Sequence, residues 1–268
     1  MMSYEDIFNL SGKSIILTGA TGYLGKFFAN ALLEFGADLA ILDLKDKELS
    51  ELCSNLKSKF SNQINSYVCD ITNENSVEIT IKKILNDFKN IDVLINNAQG
   101  NDILKPIEEI TLSDWRKTTS VNEEGLFLVS KLVGNIMSKQ SHGGSMIQIS
   151  SIYGILGPDH RIYNNSLFNN RKMGSTAAYS FSKAGIIGLT KYLSTYWAEN
   201  NIRVNAITPG GIESNQNKEF KINYSNRVPL NRMGKPDEII GALIFLASNA
   251  SSYITGQNII IDGGLSAW

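Results

Sequence analysis

The sequence predicts an α/β fold: a doubly wound parallel sheet of Rossmann type, formed by a single domain spanning residues 1–268. Three observations lead there. Short, continuously apolar stretches alternate with longer helix-compatible ones, the pattern of parallel strands covered on both faces. A glycine-rich turn joins the first apolar stretch to the first helical one. The chain has 268 residues, 43% hydrophobic and 19% charged, which suits a soluble domain with a substantial core.

Taken in order, residues 13–18 read as a buried strand that runs into glycine. Residues 22–35 carry Leu24, Phe27, Phe28, Ala31, Leu32 and Phe35 at helical spacing, and Gly36 ends them. Residues 37–44 form a second strand and 45–60 a polar helical stretch. Strands at 64–68 and 91–95 flank a helix at 73–88. A long helix covers 111–139, followed by a strand at 145–149. The last third gives a helix at 177–199, a strand at 203–207, a helix at 237–248 and a strand at 257–261. No composition shift or internal repeat suggests a second domain.

Composition also narrows function. A net charge of −1, with no Lys/Arg run, gives no footprint for nucleic acid. No apolar stretch is long enough for a membrane span, and residues 1–13 lack the basic start and apolar run of a signal peptide. Cys53, Cys69, His142 and His160 fit neither a disulfide framework nor a structural zinc site, and no metal is expected. The location expected is the cytoplasm.

The turn Thr18-Gly19-Ala20-Thr21-Gly22-Tyr23-Leu24-Gly25 is a candidate dinucleotide loop. Its glycines permit a tight turn and let backbone amides approach a pyrophosphate at a helix N-terminus. An ordinary glycine-rich turn is the plain alternative. A nucleoside-triphosphate loop, suggested by Gly25-Lys26, fails because Phe27 stands where a magnesium-binding hydroxyl is needed. Asp43 closes the second strand. A carboxylate there can accept both hydroxyls of an adenosine ribose and would repel a 2′-phosphate, which favours NAD over NADP. Its plain alternative is a cap for the following helix.

Tyr179 and Lys183 lie four residues apart on the helix at 177–199, so they share a face. A free tyrosine titrates near 10, and an adjacent ammonium favours the phenolate. The pair therefore suits acid–base chemistry on an alcohol or carbonyl near neutral pH. A surface lysine packing its stem over a tyrosine would look the same.

Together these segments resemble the short-chain dehydrogenase/reductase family, from about residue 13 to 264. Gly19, Gly22 and Gly25 resemble its cofactor loop, with the middle glycine placed as in the longer-chain branch and the rest as in the shorter. Asp70-Ile71 resembles the adenine-contacting pair. Asn96-Asn97-Ala98 resembles the family's Asn-Asn-Ala-Gly signature, except that Gln99 takes the glycine's place and Gly100 follows. Val121-Asn122-Glu123-Glu124-Gly125 resembles the segment of the catalytic Asn, and Ile149-Ser150-Ser151 the strand end of the catalytic Ser. Pro209-Gly210 resembles the nicotinamide turn, with Ile212 beyond it. Residues 254–264 resemble the C-terminal signature.

The resemblance implies roles. Ser151 would hydrogen-bond the substrate oxygen, Tyr179 would exchange its proton, and Lys183 would act on Tyr179 and the nicotinamide ribose. Asn122 would hold a water linking Lys183 to solvent. The cofactor set would be Gly19, Thr21, Gly22, Tyr23, Leu24, Gly25, Asp43, Asp70, Ile71, Asn97, Ala98, Tyr179, Lys183, Pro209, Gly210 and Ile212. A homotetramer or homodimer is implied, built from the long helices and the C-terminal strand. Leu126, Phe127, Val129 and Leu132 crowd one such helix.

Ser151 and Tyr179 are 28 positions apart, more than the family's usual spacing, which implies an insertion near 158–176. It carries His160, Arg161, Tyr163, Arg171 and Lys172. Arg161 and Arg171 are candidates for a phosphate or sugar substrate, and a solvated surface loop is the alternative. With Pro209-Gly210-Gly211-Ile212 and Asn215-Gln216, the insertion resembles oxidoreductases of bacterial flagellin-modification and nonulosonic-acid sugar pathways. The leading expectation is an NAD(H)-dependent oxidoreductase for a sugar-like small molecule. The alternatives are a ketoreductase for an acyl-carrier or lipid substrate and a catalytically silent NAD-binding module.

Overall fold

The computed structural model describes residues 6–100, 104–172 and 174–268. The first five residues of the N-terminal stretch and position 173 of the expected insertion lie outside them. Seven parallel strands form one sheet in the order β3-β2-β1-β4-β5-β8-β9. They are β1 Ser14–Thr18, β2 Asp38–Asp43, β3 Ile64–Val68, β4 Val93–Asn96, β5 Gly144–Ile149, β8 Ile202–Pro209 and β9 Asn258–Ile261. Between β5 and β8, a two-residue hairpin pairs β6 (Leu167–Phe168) with β7 (Arg171–Lys172).

Continuous apolarity of the central strands follows from packing on both faces. Successive side chains alternate, so Ile15 and Leu17 of β1 enter one core while Ile16 enters the other. The first core is closed by α1 (Tyr23–Glu34), α2 (Asp46–Lys57) and α8 (Asp237–Ala247). The second is closed by α3 (Glu74–Phe88), α5 (Leu126–Met137) and α6 (Ala177–Tyr196). Chain order reverses between β1 and β4, and the crevice for a ligand opens at the carboxyl ends of strands there.

The helix expected over 111–139 is not uniform. It starts as α4 (Leu112–Thr119) behind a Thr111/Asp114 capping box, widens to a π turn over Ser120–Gly125, and resumes as α5. Such widened turns occur mostly at functional sites, and no hydrophobic periodicity announces them. Two further elements go unannounced in the sequence. One is α7 (Lys218–Ser225), capped by Asn217, whose side chain accepts from the Phe220 amide. The other is the β6–β7 hairpin, whose Asn169 and Asn170 take φ of 47° and 60°, the left-handed pair that a tight hairpin turn needs.

A third, smaller cluster lies under residues 152–163: Ile152, Ile162, Phe220, Tyr224, Val228, Met233 and Leu265. It joins the segment after β5 to α7 and the C-terminus. No described helix is long and apolar enough to cross a membrane.

Gly134 shows how tightly α5 seats. A Cβ there would fall inside the buried Trp197 indole. Alanine normally gains about 1 kcal/mol over glycine in a helix, whereas overpacking costs about 1–3 kcal/mol. Gly134→Ala should therefore lower the urea midpoint despite its helix propensity; a raised midpoint would contradict this packing.

Candidate active site

The glycine loop is fastened from the β4 side. Asn97 donates through Nδ2 to the carbonyls of Thr18 (3.1 Å) and Gly19 (2.9 Å), and the Asn97 and Ala98 amides donate to Thr18 Oγ1. Gly19 takes φ +66°, and a Cβ on it would sit 2.6 Å from Ala98 Cα. A Cβ on Gly25 would strike the Gly19 carbonyl, so the first turn of α1 can lie against the loop only as glycine. Gly22 caps α1 with no side-chain hydrogen bond. The opening amides of α1 therefore have no side-chain acceptor and carry the partial positive charge of a helix start. Thr21 grips Asp43, with its amide (2.9 Å) and hydroxyl (2.7 Å) both on Oδ2. The other oxygen of Asp43 accepts from the Leu44 and Lys45 amides. Asp43 thus fastens the glycine loop to the turn after β2 and does not cap α2, whose N-cap is Lys45. Asp70 accepts from the Thr72 amide and hydroxyl, while Ile71 is buried against Gly125.

At the end of β5 the chain turns at Ser151, whose Oγ accepts from the Tyr153 amide at 3.3 Å. This turn is locked to α6. Ser150 Oγ donates to the Lys183 carbonyl at 2.8 Å, and a Cβ on Gly154 would lie 2.6 Å from that same oxygen. Thr176 caps α6 by accepting from the Tyr179 amide. Lys183 is only 2% exposed. Its Nζ donates to the Ile149 carbonyl at 2.9 Å and lies 5.6 Å from the centroid of the Tyr179 ring. The Lys183 ammonium and the Tyr179 ring are thus brought to the end of β5, two residues before Ser151. Asn122 is equally buried, and both ends of its amide are engaged: Oδ1 accepts from Gly100 N (2.8 Å) and Nδ2 donates to Ser182 Oγ (3.0 Å). The side chain ties the exit of β4 to α6.

The opposite wall is built by Pro209-Gly210-Gly211-Ile212. A Cβ on Gly211 would lie 2.5 Å from the Tyr224 ring, and the Tyr224 hydroxyl accepts from the Gly211 amide. The doubled glycine therefore lets a tyrosine of α7 lie flat on the turn. Tyr23, at the start of α1, reaches across to donate to the Glu213 carbonyl at 2.7 Å. That bond joins the glycine loop to the segment after β8.

Residues 158–176 fold back over this wall. The Leu167 amide donates to Asn217 Oδ1, Asn217 N to the Leu167 carbonyl, and Asn217 Nδ2 to the Asn165 carbonyl. Arg161 lies at the surface with its guanidinium paired to Asp159, which also accepts from Arg227. The Arg161 hydrogen bonds, with Arg227 adding, hold the Asp159 carboxyl well below the usual carboxylate range. Arg171 is exposed on β7. Arg161 therefore serves the segment's own fold.

A family model described as enoyl-(acyl carrier protein) reductase matches residues 19–266. The chain belongs to the short-chain dehydrogenase/reductase family. A 3-oxoacyl-[acyl-carrier-protein] reductase from Thermotoga maritima is 34% identical over 262 residues, covering 96% of this chain and 98% of the relative. A ribulose-forming D-arabinitol 2-dehydrogenase from Candida albicans is 31% identical, covering 99% and 98%. Among solved structures, a gluconate 5-dehydrogenase from Burkholderia cenocepacia, in complex with NADP and tartrate, aligns with TM-score 0.86 and 28% identity, covering 98% of both chains. This short-chain dehydrogenase/reductase is an NAD(P)-dependent enzyme for alcohol and carbonyl interconversion.

The cradle fits such a dinucleotide. Gly19 and Gly25 bring backbone against backbone as a dinucleotide loop requires, and the first turn of α1 carries the partial positive charge that suits a pyrophosphate. The sequence did not single out Tyr153, Tyr224 or the bridging bond of Tyr23. The doubled glycine before a tyrosine-bearing helix was the available sign for Tyr224; nothing local marks the others. Gly25→Ala should weaken NADH binding at least about tenfold by fluorescence titration, with circular dichroism unchanged. Unaltered affinity would contradict the cradle.

Proposed function

We propose that this enzyme uses NAD(H) to interconvert an alcohol and a carbonyl on a polyhydroxylated, sugar-like substrate. The observation that carries the chemistry is the Lys183 ammonium, buried, fixed by the Ile149 carbonyl and held over the Tyr179 ring. A positive charge so placed stabilises the phenolate, and Tyr179 then exchanges a proton with the substrate oxygen while Ser151 Oγ donates a hydrogen bond to it. The nicotinamide, when bound, supplies or accepts the hydride. Lys183 is also the residue we assign to the nicotinamide ribose. The π turn at Asn122, rather than its committed side chain, is the element we assign to holding the water that relays protons to Lys183.

Asp43 supports NAD over NADP, since its fixed carboxylate would repel a 2′-phosphate. Relatives divide between polyols and acyl-carrier thioesters. What favours a sugar-like substrate is the polar, phenol-lined segment 158–176, which we take to be an added substrate loop. The narrower likeness to nonulosonic-acid and flagellin-modification enzymes belongs to this proposal, as do Arg161 and Arg171 as contacts for an anionic group; Arg161 would have to leave Asp159 to make one. Oligomerisation is supported by Leu112, Phe127, Phe181 and Tyr192 exposed on α4–α6, and by Trp268 at the C-terminus; Leu126 and Val129 are core instead. We assign the protein to the cytoplasm on its sequence.

Assays with polyols, keto-sugars and hydroxyacyl thioesters, each with NAD(H) and NADP(H), test this directly. Turnover should be fastest on a polyol or keto-sugar with NAD(H). Tyr179→Phe should lower kcat by about 10²–10⁴ while NADH still binds. Preferred turnover of thioesters would favour the ketoreductase alternative, and undiminished turnover by Tyr179→Phe would remove the assigned acid–base role.

A further inference from the structure

Two phenols meet in the segment that follows the Ser151 strand end. Tyr153 follows Ser151 by two residues and is tied to it through its amide. Tyr163 arrives from the segment 158–176 and bonds the Tyr153 hydroxyl, oxygen to oxygen, at 2.7 Å. Both are half-buried. Burial pushes the Tyr163 phenol up from its ordinary range, and the neighbouring phenols of Tyr153, Tyr224 and Tyr179 add to the shift. Burial raises Tyr153 likewise. Both remain neutral hydroxyls wherever the enzyme works.

The segment holds Tyr163 still. Its ring stacks on Phe220, centroids 5.7 Å apart and planes at 22°. On one side Asp159 is clasped by Arg161 and Arg227. On the other, buried Ser166 donates to the Ile162 carbonyl at 2.8 Å, and Asn217 locks residues 165–167. A group fixed in this way spends little entropy on binding.

Each phenol has one proton and an accepting oxygen. Once Tyr163 donates to Tyr153, the Tyr153 proton has no acceptor among the described residues, and the Tyr163 oxygen accepts nothing. The pair presents one donor and one acceptor at a single hydrogen-bond separation. Two neighbouring hydroxyls of a gauche vicinal diol have a matching separation and the complementary roles. A hydroxyl-free acyl chain would leave both phenols unpaired, at a cost.

We propose that Tyr153 and Tyr163 form a subsite that reads a vicinal diol next to the reacting carbon. This rests on the sugar-like reading of the preceding subsection and specifies the contact that would enforce it.

The test compares Tyr153→Phe and Tyr163→Phe with the wild type on a pentitol and on 2-pentanol. Phenylalanine keeps the ring and removes only the hydroxyl. The ratio of kcat/KM for the pentitol to that for 2-pentanol should fall about 3- to 10-fold in each variant, mainly through KM for the pentitol. A merely structural pair would lower both substrates alike, so an unchanged ratio overturns the subsite alone. A wild type that oxidises no polyol and reduces no keto-sugar overturns the sugar-like reading, and the subsite with it.

Discussion

The site depends on one buried cation. Lys183 brings a positive charge to the edge of the sheet with almost no water around it, a costly placement unless partners replace the lost hydration. The Ile149 carbonyl provides one such partner, and the Tyr179 ring lies across from it. Position is imposed from below, because the backbone of the same lysine is held by Ser150 and closely approached by Gly154. The strand end that carries Ser151 and the helix that carries Tyr179 are thereby fixed to each other through Lys183. Geometry and electrostatics of the proton-transfer group come from the same contacts.

A second constraint is shared by both walls of the crevice: side chains are removed so that backbone can approach. Gly19 lets the loop lie against Ala98 after β4, Gly25 lets α1 sit on that loop, and Gly211 lets Tyr224 lie on the turn after β8. The first two allow the tight loop that a pyrophosphate site needs. The third brings α7 close enough for Phe220 to stack on Tyr163. Substitutions in this set act on ligand binding through sterics of the main chain, with no charge involved.

What was legible in the sequence follows the same division. The sheet, its crevice and the pairing of Tyr179 with Lys183 could be anticipated, because strand periodicity and an i, i+4 pair are local signals. The π turn could not, since one extra residue in a turn leaves hydrophobic spacing nearly unchanged. Asn122 was expected to hold a water; its bonds to Gly100 and Ser182, both distant in sequence, could not be anticipated. The pairing of Arg161 with Asp159 is recognisable only once the turn between them is formed. Tyr153 passed unnoticed, as its partner Tyr163 lies ten residues away across a fold-back that no periodicity encodes.

The buried charge at position 183 is tested most directly by the pH dependence of single-turnover hydride transfer at saturating NADH. With Lys183→Met, the pH at which the rate is half-maximal should move to a higher value than in the wild type, because the phenolate loses its cation. Identical profiles for the two proteins, with bound NADH verified in both, would contradict the account.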